Sequence, residues 1–283
     1  MNKTKELEKW AKLLRYDVVR MISNASSGHP GGCLSAADII ACLYFDEMNI
    51  RPDEPDWPDR DRFILSKGHS APVLYAALAR KGYFPLETLK TLRKAGSILQ
   101  GHPDIHTPGV DMTTGCLGEG LSAGCGMALS ARLDHKSYRT YVMMGCGEMN
   151  EGQVWESVMS AAHFRLDNIL VILDYNQLQF DGSVQEISDP GSMKKRWAGF
   201  NWNVIEIDGH NIDEIRSSFK EAKNKKGVPT VTIAHTIKGK GAGFMEGDYL
   251  WHSLMDNKKL LAYLQQIQEE LKHADSFYAD RLW

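Results

Sequence analysis

Three histidines each stand beside glycine, outside any predicted helix. They are His29 in Ser-Gly-His-Pro-Gly-Gly at 27–32, His69 in Ser-Lys-Gly-His-Ser at 66–70, and His102 in Gly-His-Pro at 101–103. Imidazole exchanges protons near neutral pH and donates hydrogen bonds to phosphate or sugar hydroxyl oxygens. A single histidine is usually structural or merely exposed, and metal ligation is another interpretation, although no spacing here resembles a zinc site. Three in the same setting favour binding of a polyhydroxylated ligand.

A glycine turn at Gly145-Cys146-Gly147 follows the apolar run 141–144 and precedes a helical pattern over 150–164. Glycine lets the backbone approach a ligand closely, and N–H groups at a helix start bind phosphate oxygens. A tight strand-to-helix turn without a ligand is the alternative. The nicotinamide fingerprint GxGxxG fails here, because it would require glycine at the position of Asn150.

Two further glycine-rich segments precede or follow predicted elements. The segment 115–120 leads into a helix, where close helix–sheet packing competes with ligand binding as its explanation. The segment 236–243, Thr-Ile-Lys-Gly-Lys-Gly-Ala-Gly, follows the last predicted strand. It is typical either of a mobile basic loop covering an anionic ligand or of a solvated linker.

The elements that must position these residues alternate between strand and helix. Apolar periodicity predicts helices over 7–22, 35–48 (with Ser35 as cap), 71–81, 85–94, 117–133, 150–164, 211–223 and 257–273, and strands near 63–65, 140–144, 169–173, 203–207 and 230–234. This alternation predicts an α/β fold with a doubly wound, mainly parallel sheet and helices on both faces. Ligands bind at the carboxyl ends of such strands, where the turns at Gly145 and Asn176 lie. We expect one domain, 1–250, and a helical C-terminal extension, 251–283.

The composition is that of a globular protein, with 43% hydrophobic and 24% charged residues. A net charge of −3 gives no general attraction to nucleic acid or anionic membrane. No apolar run approaches the roughly 20 residues that span a bilayer, and the polar N-terminus lacks a signal-peptide core, so we expect a cytoplasmic location. Five cysteines without CxxC spacing are expected to be reduced, and Cys33, Cys42, Cys116 and Cys125 to be small apolar filler.

Taken together, the ordered segments resemble the N-terminal half of a transketolase. The segments that carry the resemblance are SGHPGG at 27–32, SKGHS at 66–70, GHP at 101–103, TGCLGEGLS at 114–122, GCGEMNEGQVWE at 145–156, LDNILVILDYNQLQFDG at 166–182 and HTIKGKGAGFMEG followed by WH within 235–252. A full-length transketolase is more than twice as long. The chain therefore resembles the N-terminal, diphosphate-binding subunit of a split, two-subunit transketolase with the thiamine diphosphate-binding fold.

The resemblance implies roles for individual residues. His29, His102 and His252 would be catalytic and would surround the reacting carbon and the ketose hydroxyls. The cofactor would contact His69, Gly118, Gly147, Glu148, Asn176 and His252. Asn176 and the carbonyl of Leu178 would ligate the cation, and Glu151 and Glu156 would lie at the subunit interface. The cofactor would be thiamine diphosphate with Mg²⁺ or Ca²⁺. A ketol unit would pass from a ketose, typically a sugar phosphate, to an aldose. The glutamate that activates the cofactor and the arginines for acceptor phosphate belong to the pyrimidine-binding domain, so a separate subunit is implied, in an α2β2 heterotetramer.

Three positions depart from the family pattern. Cys146 stands where the family has its acidic cation ligand, and thiolate is a poor substitute for oxygen toward Mg²⁺ or Ca²⁺. This predicts weakened or altered cation binding with activity retained. Glu119 and Ser253 replace the usual Gln and Gly near the site, which leaves room for a modified or unphosphorylated sugar. A non-catalytic scaffold or regulatory subunit, or a different thiamine enzyme, remains an alternative.

Overall fold

A computed structural model describes residues 2–278 and 281–283; residue 1 and residues 279–280, which fall within the predicted extension 251–283, lie outside the described part. Its sheet is parallel throughout, in the order β1-β2-β3-β5-β4. The strands are β1 (Arg62–Leu65), β2 (Thr140–Gly145), β3 (Ile169–Tyr175), β4 (Asn203–Asp208) and β5 (Thr230–His235). Each strand lies within two residues of its predicted range at both ends.

Helices cover both faces of the sheet. The α-helices of the described residues are α1 (Lys3–Ala25), α2 (Pro30–Cys42), α3 (Ala71–Lys81), α4 (Glu119–Leu133), α5 (Gly152–His163), α6 (Val184–Ser188), α7 (Met193–Gly199), α8 (Ile212–Asn224) and α9 (Asn257–Ala274). Side chains along a strand alternate between the faces. Tyr141 and Met143 enter a core with α1, α2, α3, α8 and α9, whereas Val142 and Met144 enter a second core with α4, α5 and α7. The doubly wound α/β prediction is confirmed.

Two predicted helices are corrected by the structure. The helix expected over 35–48 begins earlier, at Pro30, and passes into a π-helical turn, Leu43–Glu47. Ser35 is therefore not its cap: its hydroxyl is buried and donates to the carboxylate of Asp174, 2.7 Å away. The helix expected over 85–94 is a 3₁₀ turn, Leu86–Thr91. The turn begins after Pro85, and the positive φ of 59° at Arg93, just beyond its cap Leu92, is incompatible with a longer helix.

The C-terminal segment joins the first core. Leu260, Ile267 and Leu271 of α9 are buried in the same cluster as Leu7 and Leu14 of α1. Helix α9 thus packs directly against α1 and buries its apolar stripe there. In the part of the chain that the structure describes, no helix is both long and apolar enough to cross a bilayer.

Candidate functional site

A cavity of about 390 Å³ opens at the carboxyl edge of the sheet. Its walls include Lys67 after β1, Gly145 and Cys146 at the end of β2, Asn176 after β3 and Lys238 after β5. Segments far apart in sequence meet at this edge because the strands are parallel. The turns at Gly145 and Asn176 lie at the edge predicted from the strand order along the chain.

Three histidine rings are grouped beside this cavity. The ring centroid of His29 lies 5.3 Å from that of His69 and 5.4 Å from that of His252, and the centroids of His69 and His252 lie 4.9 Å apart. The Nδ1 atom of His29 is buried without a hydrogen-bond partner among the described residues. A buried ring nitrogen without a partner is a position that a ligand hydroxyl or phosphate oxygen would satisfy.

All three rings are held in the neutral form. Burial, with Arg93 nearby, lowers the pKa of His29 to about 4. Burial and the neighbouring Lys238 lower the pKa of His252 to about 3, and burial with Lys67 keeps the pKa of His69 well below its usual value. A neutral imidazole has one donor and one acceptor nitrogen, so each ring can either give or take a hydrogen bond at neutral pH.

A buried carboxylate lies beneath the cavity and ties its walls together. Asp174, at the end of β3, forms an ion pair with Lys67 and accepts hydrogen bonds from Thr236, Ser35 and Asn176. Burial opposes its ionisation, but the Lys67 ammonium and these donors lower the pKa of Asp174 below its usual value. One carboxylate therefore joins the segments that follow β1, β3 and β5 and helix α2.

A second buried carboxylate, that of Glu148, holds the turn after β2. It accepts hydrogen bonds from the hydroxyl of Ser66, from the Gly118 N–H at 2.8 Å and from the Gly145 N–H at 3.1 Å. Burial raises the pKa of Glu148 in spite of these donors. Its carboxylate is thus engaged by protein groups and fixes the spacing of two glycine loops at the cavity wall.

Cys146 is buried between two backbone segments. Its thiol donates to the carbonyl of Asp174 at 3.2 Å, and its Sγ accepts the Gln177 N–H at 3.1 Å. Burial, with the nearby Asp174 charge, raises the pKa of this thiol to about 12, so it is neutral. The Oδ1 atom of Asn176 accepts the Leu178 N–H at 3.1 Å. These groups form a closed set of hydrogen bonds around the loop after β3.

The basic loop after β5 is not a solvated linker, because it packs against the cavity wall through Lys238. Lys238 is 2% exposed, and its Nζ lies 3.0 Å from Nδ1 of His252 and donates to the carbonyl of Gln179 at 3.4 Å. Burial, with Lys67 close by, lowers the pKa of Lys238 to about 8. Its ammonium group lines the cavity and brings positive charge to it.

The remaining predicted residues lie outside the cavity lining. His102 is exposed, and its ring packs over Gly115, where a Cβ would lie 3.4 Å from Cδ2. Glu151 and Glu156 are exposed at the start of α5 and on its surface. Cys116 is also exposed, so the expectation that it is small apolar filler is wrong.

Residues 6–263 match the family model described as "Transketolase, thiamine diphosphate binding domain". The chain belongs to the transketolase family. It is 47% identical over 250 residues to the 6-deoxy-6-sulfo-D-fructose transketolase subunit SqwG of Clostridium sp. (strain MSTE9), covering 88% of this chain and 91% of that protein. It is 42% identical over 246 residues to an apulose-4-phosphate transketolase subunit of Phocaeicola vulgatus, covering 87% of this chain and 88% of that protein.

Full-length transketolases extend beyond this chain. Human transketolase is 41% identical over 251 residues, which are 88% of this chain and 40% of the human protein. The crystal structure of transketolase from Campylobacter jejuni superposes with a TM-score of 0.85 at 28% identity, covering 99% of this chain and 50% of that one. The chain therefore spans about half the length of that structure, and nearly the whole length of the relatives named as subunits.

The cavity of this transketolase domain fits thiamine diphosphate. Gly32 and Gly147 in its wall have no side chain to cover the backbone, and the Lys238 ammonium lines the cavity. The Nδ1 atom of His29, which has no hydrogen-bond partner among the described residues, lies beside it. A Cβ at Gly147 would lie 3.0 Å from Cβ of Gln179, so this close approach of the two loops favours glycine there. Backbone N–H groups and an ammonium suit phosphate oxygens.

The same residues do not form an ordinary site for a hard cation. The described residues contain no group of three or more His, Cys, Asp or Glu side chains placed to hold a metal ion. The Cys146 thiol is neutral and already hydrogen-bonded, and Mg²⁺ and Ca²⁺ prefer oxygen ligands. The transketolase domain thus has the features of a diphosphate site without an acidic cation ligand at position 146.

Sequence reasoning missed three charged residues of this site: Lys67, Asp174 and Lys238. Two signals were present. Asp174 directly continues the apolar run 169–173, where a carboxylate inside a buried strand needs a partner, and Lys67 precedes His69 in a segment already singled out. Nothing in the pattern of segment 236–243 distinguishes Lys238, which points inward, from Lys240.

Proposed function

We propose that this chain is the diphosphate-binding subunit of a two-component transketolase, transferring a two-carbon ketol unit from a ketose to an aldose. The group of neutral rings of His29, His69 and His252 beside a glycine-walled, lysine-lined cavity carries the proposal. It combines groups for phosphate oxygens with groups for sugar hydroxyls. The names of the relatives, which are transketolase subunits, support the same activity.

Each predicted residue receives a task in this proposal. His69, Gly147 and Asn176 bind the diphosphate end of the cofactor, Glu148 holds Gly118 and Gly145 in place, and His252 stands where the diphosphate and sugar regions meet. Thiamine diphosphate, when bound, supplies the carbanion chemistry. His29, His102 and His252 hold the donor's hydroxyls and move protons at them, since neutral imidazole can both give and take a hydrogen bond.

A separate pyrimidine-domain subunit completes the enzyme in this proposal. The relatives are named as subunits, and the chain spans 40% of human transketolase. We place Glu151 and Glu156, both exposed at α5, at the interface of an α2β2 heterotetramer. The free thiols of all five cysteines suit a reducing compartment, so the proposal includes a cytoplasmic location.

We further propose a modified sugar as substrate. The two relatives named as subunits act, by their names, on a sulfonated fructose and on apulose 4-phosphate. Glu119 and Ser253, which depart from the family pattern, are exposed near the predicted interface and beside His252. Either could alter the wall that meets the far end of a sugar.

Divalent cation binding is weakened or altered in this proposal. Cys146 contributes no charge, whereas the cofactor diphosphate carries several negative charges. The buried ammonium of Lys238 compensates part of that charge from the cavity wall. Asn176 and the carbonyl of Leu178 remain the candidate oxygen ligands.

The second candidate function is a non-catalytic scaffold or regulatory subunit, favoured by the neutral Cys146. Calorimetric titration of thiamine diphosphate into the chain mixed with its partner subunit separates the two, with Mg²⁺ present. Binding, together with ketol transfer by the mixture but not by the chain alone, is expected. Transfer by this chain alone would overturn the two-component proposal, and absence of cofactor binding by the mixture would favour the scaffold. A panel of sulfonated, phosphorylated and unmodified ketoses then identifies the donor.

A further inference from the structure

The loop that carries Lys238 into the cavity is held from behind by groups outside the cavity. Its backbone has positive φ at Gly239 (80°) and Gly241 (92°), so it is not part of a regular element. Two of its contacts face the site: Lys238 to His252 and Lys238 to Gln179. The position of the ammonium therefore depends also on what anchors the backbone on the other side.

His210, in the connection between β4 and α8, is such an anchor. Its Nε2 accepts the N–H of Ile237 at 2.8 Å, directly before Lys238. Its Nδ1 lies 2.7 Å from a carboxylate oxygen of Asp38 on α2. An imidazole that accepts at Nε2 must carry its hydrogen at Nδ1, and the Asp38 carboxylate selects that tautomer. Each of the two hydrogen bonds thus requires the other.

Asp38 is fixed in the ionised form that this arrangement needs. Burial opposes its ionisation, but the charge of Arg15 and the hydrogen bond from His210 lower its pKa to about 2. Arg15 donates to Asp38 at 3.0 Å, and its Nε donates to the carbonyl of Lys240 at 3.1 Å. Arg15 and Asp38 therefore hold the loop on both sides of Lys238. Asp38 acts through His210 on Ile237, and Arg15 acts directly on Lys240.

We propose that His210, with its tautomer set by Asp38, is a positioning residue that determines where the Lys238 ammonium reaches in the cofactor cavity. It acts through the Ile237 N–H and does not line the cavity itself. The inference rests on the proposed diphosphate site, because it concerns how Lys238 is presented to that site. It adds a residue pair, remote from the cavity, that tunes diphosphate affinity.

Two substitutions separate the two hydrogen bonds of His210. His210→Asn places an amide near Nδ1, which can donate to Asp38 but does not reach Ile237. His210→Gln places a carbonyl oxygen near Nε2, which can accept from Ile237. His235→Asn is the control, because His235 is an exposed histidine at the end of β5 whose side chain contacts Glu206 and Tyr175 and lies outside the cavity lining.

Hydrogen exchange of the Ile237 amide and calorimetry with inorganic pyrophosphate are measured on the full chain. In His210→Asn, the loss of one hydrogen bond is expected to speed amide exchange at Ile237 about five- to tenfold. Tryptic cleavage after Lys238 is expected to become faster, and the affinity for pyrophosphate is expected to weaken by a similar factor. In His210→Gln, amide exchange at Ile237 and pyrophosphate affinity are expected to stay close to their wild-type values. His235→Asn is expected to change neither of these two quantities. In Lys238→Met, the added His210→Asn change is expected to have no further effect on pyrophosphate affinity.

A purely structural role gives a different pattern. Equal loss of thermal stability in His210→Asn and His210→Gln, with Ile237 exchange or pyrophosphate affinity unchanged, would overturn the proposal. Failure of the wild-type chain to bind pyrophosphate would overturn both the diphosphate site and the effect of His210 on it. The exchange data would still show, in that case, whether His210 holds the loop.

Discussion

The ammonium of Lys67 and the carboxylate of Asp174 form an ion pair whose side chains are 2% and 0% exposed, directly beneath the cofactor cavity. Lys67 also donates to the carbonyl of Gly32 at 2.7 Å, and Asp174 accepts from Ser35, in the same helix. The pair therefore connects the ends of β1 and β3 to the first turns of α2. An ion pair at this depth is strong only while both partners are present.

Asp174→Asn is expected to destabilise the chain by about 3–5 kcal/mol, because it leaves the buried Lys67 charge without a counter-charge. Urea unfolding of the purified chain measures the change. Asp181→Asn is the control, because Asp181 is exposed on the loop after β3 and is expected to change stability by less than about 0.5 kcal/mol. Equal stability of the two variants would show that Lys67 finds another counter-charge.

The same pair has a predictable pH dependence. The pKa of Asp174 is lower in the folded chain than its usual value, against the opposing effect of burial. Its contribution to stability is therefore fully present above the unfolded-state pKa near 4 and is lost as the pH falls through the folded-state value. Asp174→Asn removes this contribution, so its stability is expected to fall less steeply than that of the wild type below pH 4.

Gly118 and Gly126 form a matched pair for testing the glycine-rich segment before and within α4. Gly118 has a φ of 92°, and a Cβ there would lie 2.9 Å from Cβ of Glu151. Gly118→Ala is therefore expected to cost about 1–3 kcal/mol and to weaken cofactor affinity, since Gly118 also donates to Glu148. Gly126 lies in the interior of α4 with open space around it, so Gly126→Ala is expected to stabilise the chain by about 0.5–1 kcal/mol. Thermal unfolding of both variants checks the opposite signs.

Much of this architecture could be predicted from the sequence, because apolar periodicity and glycine spacing are local signals. The five strands and the parallel sheet follow from such patterns. Of the three glycine-flanked histidines, His29 and His69 lie together and His102 lies apart, whereas His252 is indicated only by the family resemblance. The functional roles of these residues remain predictions. Lys67 and Lys238 were not predicted to be buried, because charged side chains are exposed by default and their burial depends on partners distant in sequence. The anchoring of Ile237 by His210 depends likewise on a contact between residues 27 positions apart.

Cys146→Asp introduces a carboxylate at the position where the family resemblance implies an acidic cation ligand. Without a cation, the new carboxylate would be buried near Asp174 and is expected to destabilise the chain by a few kcal/mol. With Mg²⁺ and thiamine diphosphate, it is expected to raise cation affinity about tenfold or more, since Mg²⁺ prefers carboxylate oxygen to a neutral thiol. Thermal unfolding without a cation measures the first effect, and calorimetric titration with Mg²⁺, Mn²⁺ and Zn²⁺ measures the second.

The control for that substitution is Cys146→Ser, which keeps a neutral donor to the Asp174 carbonyl and an acceptor for the Gln177 N–H. It is expected to behave like the wild type toward Mg²⁺ and to lose any affinity for Zn²⁺ that depends on sulfur. If Cys146→Asp left cation and cofactor affinity unchanged, the neutral thiol would not be what limits cation binding.

Lys238 should make cofactor affinity depend on pH in the alkaline range. Burial and Lys67 lower its pKa to about 8, and the diphosphate binds more tightly to the charged form. As the pH rises above 8, the charged fraction falls progressively, approaching tenfold per pH unit, and the affinity for thiamine diphosphate is expected to fall with it. In Lys238→Arg the guanidinium stays protonated, so the ratio of wild-type to variant affinity should be constant below pH 7 and decline above pH 8. Calorimetric titration from pH 6.5 to 9.5 measures this ratio. A constant ratio across that range would show that the charge of Lys238 does not contribute to diphosphate binding.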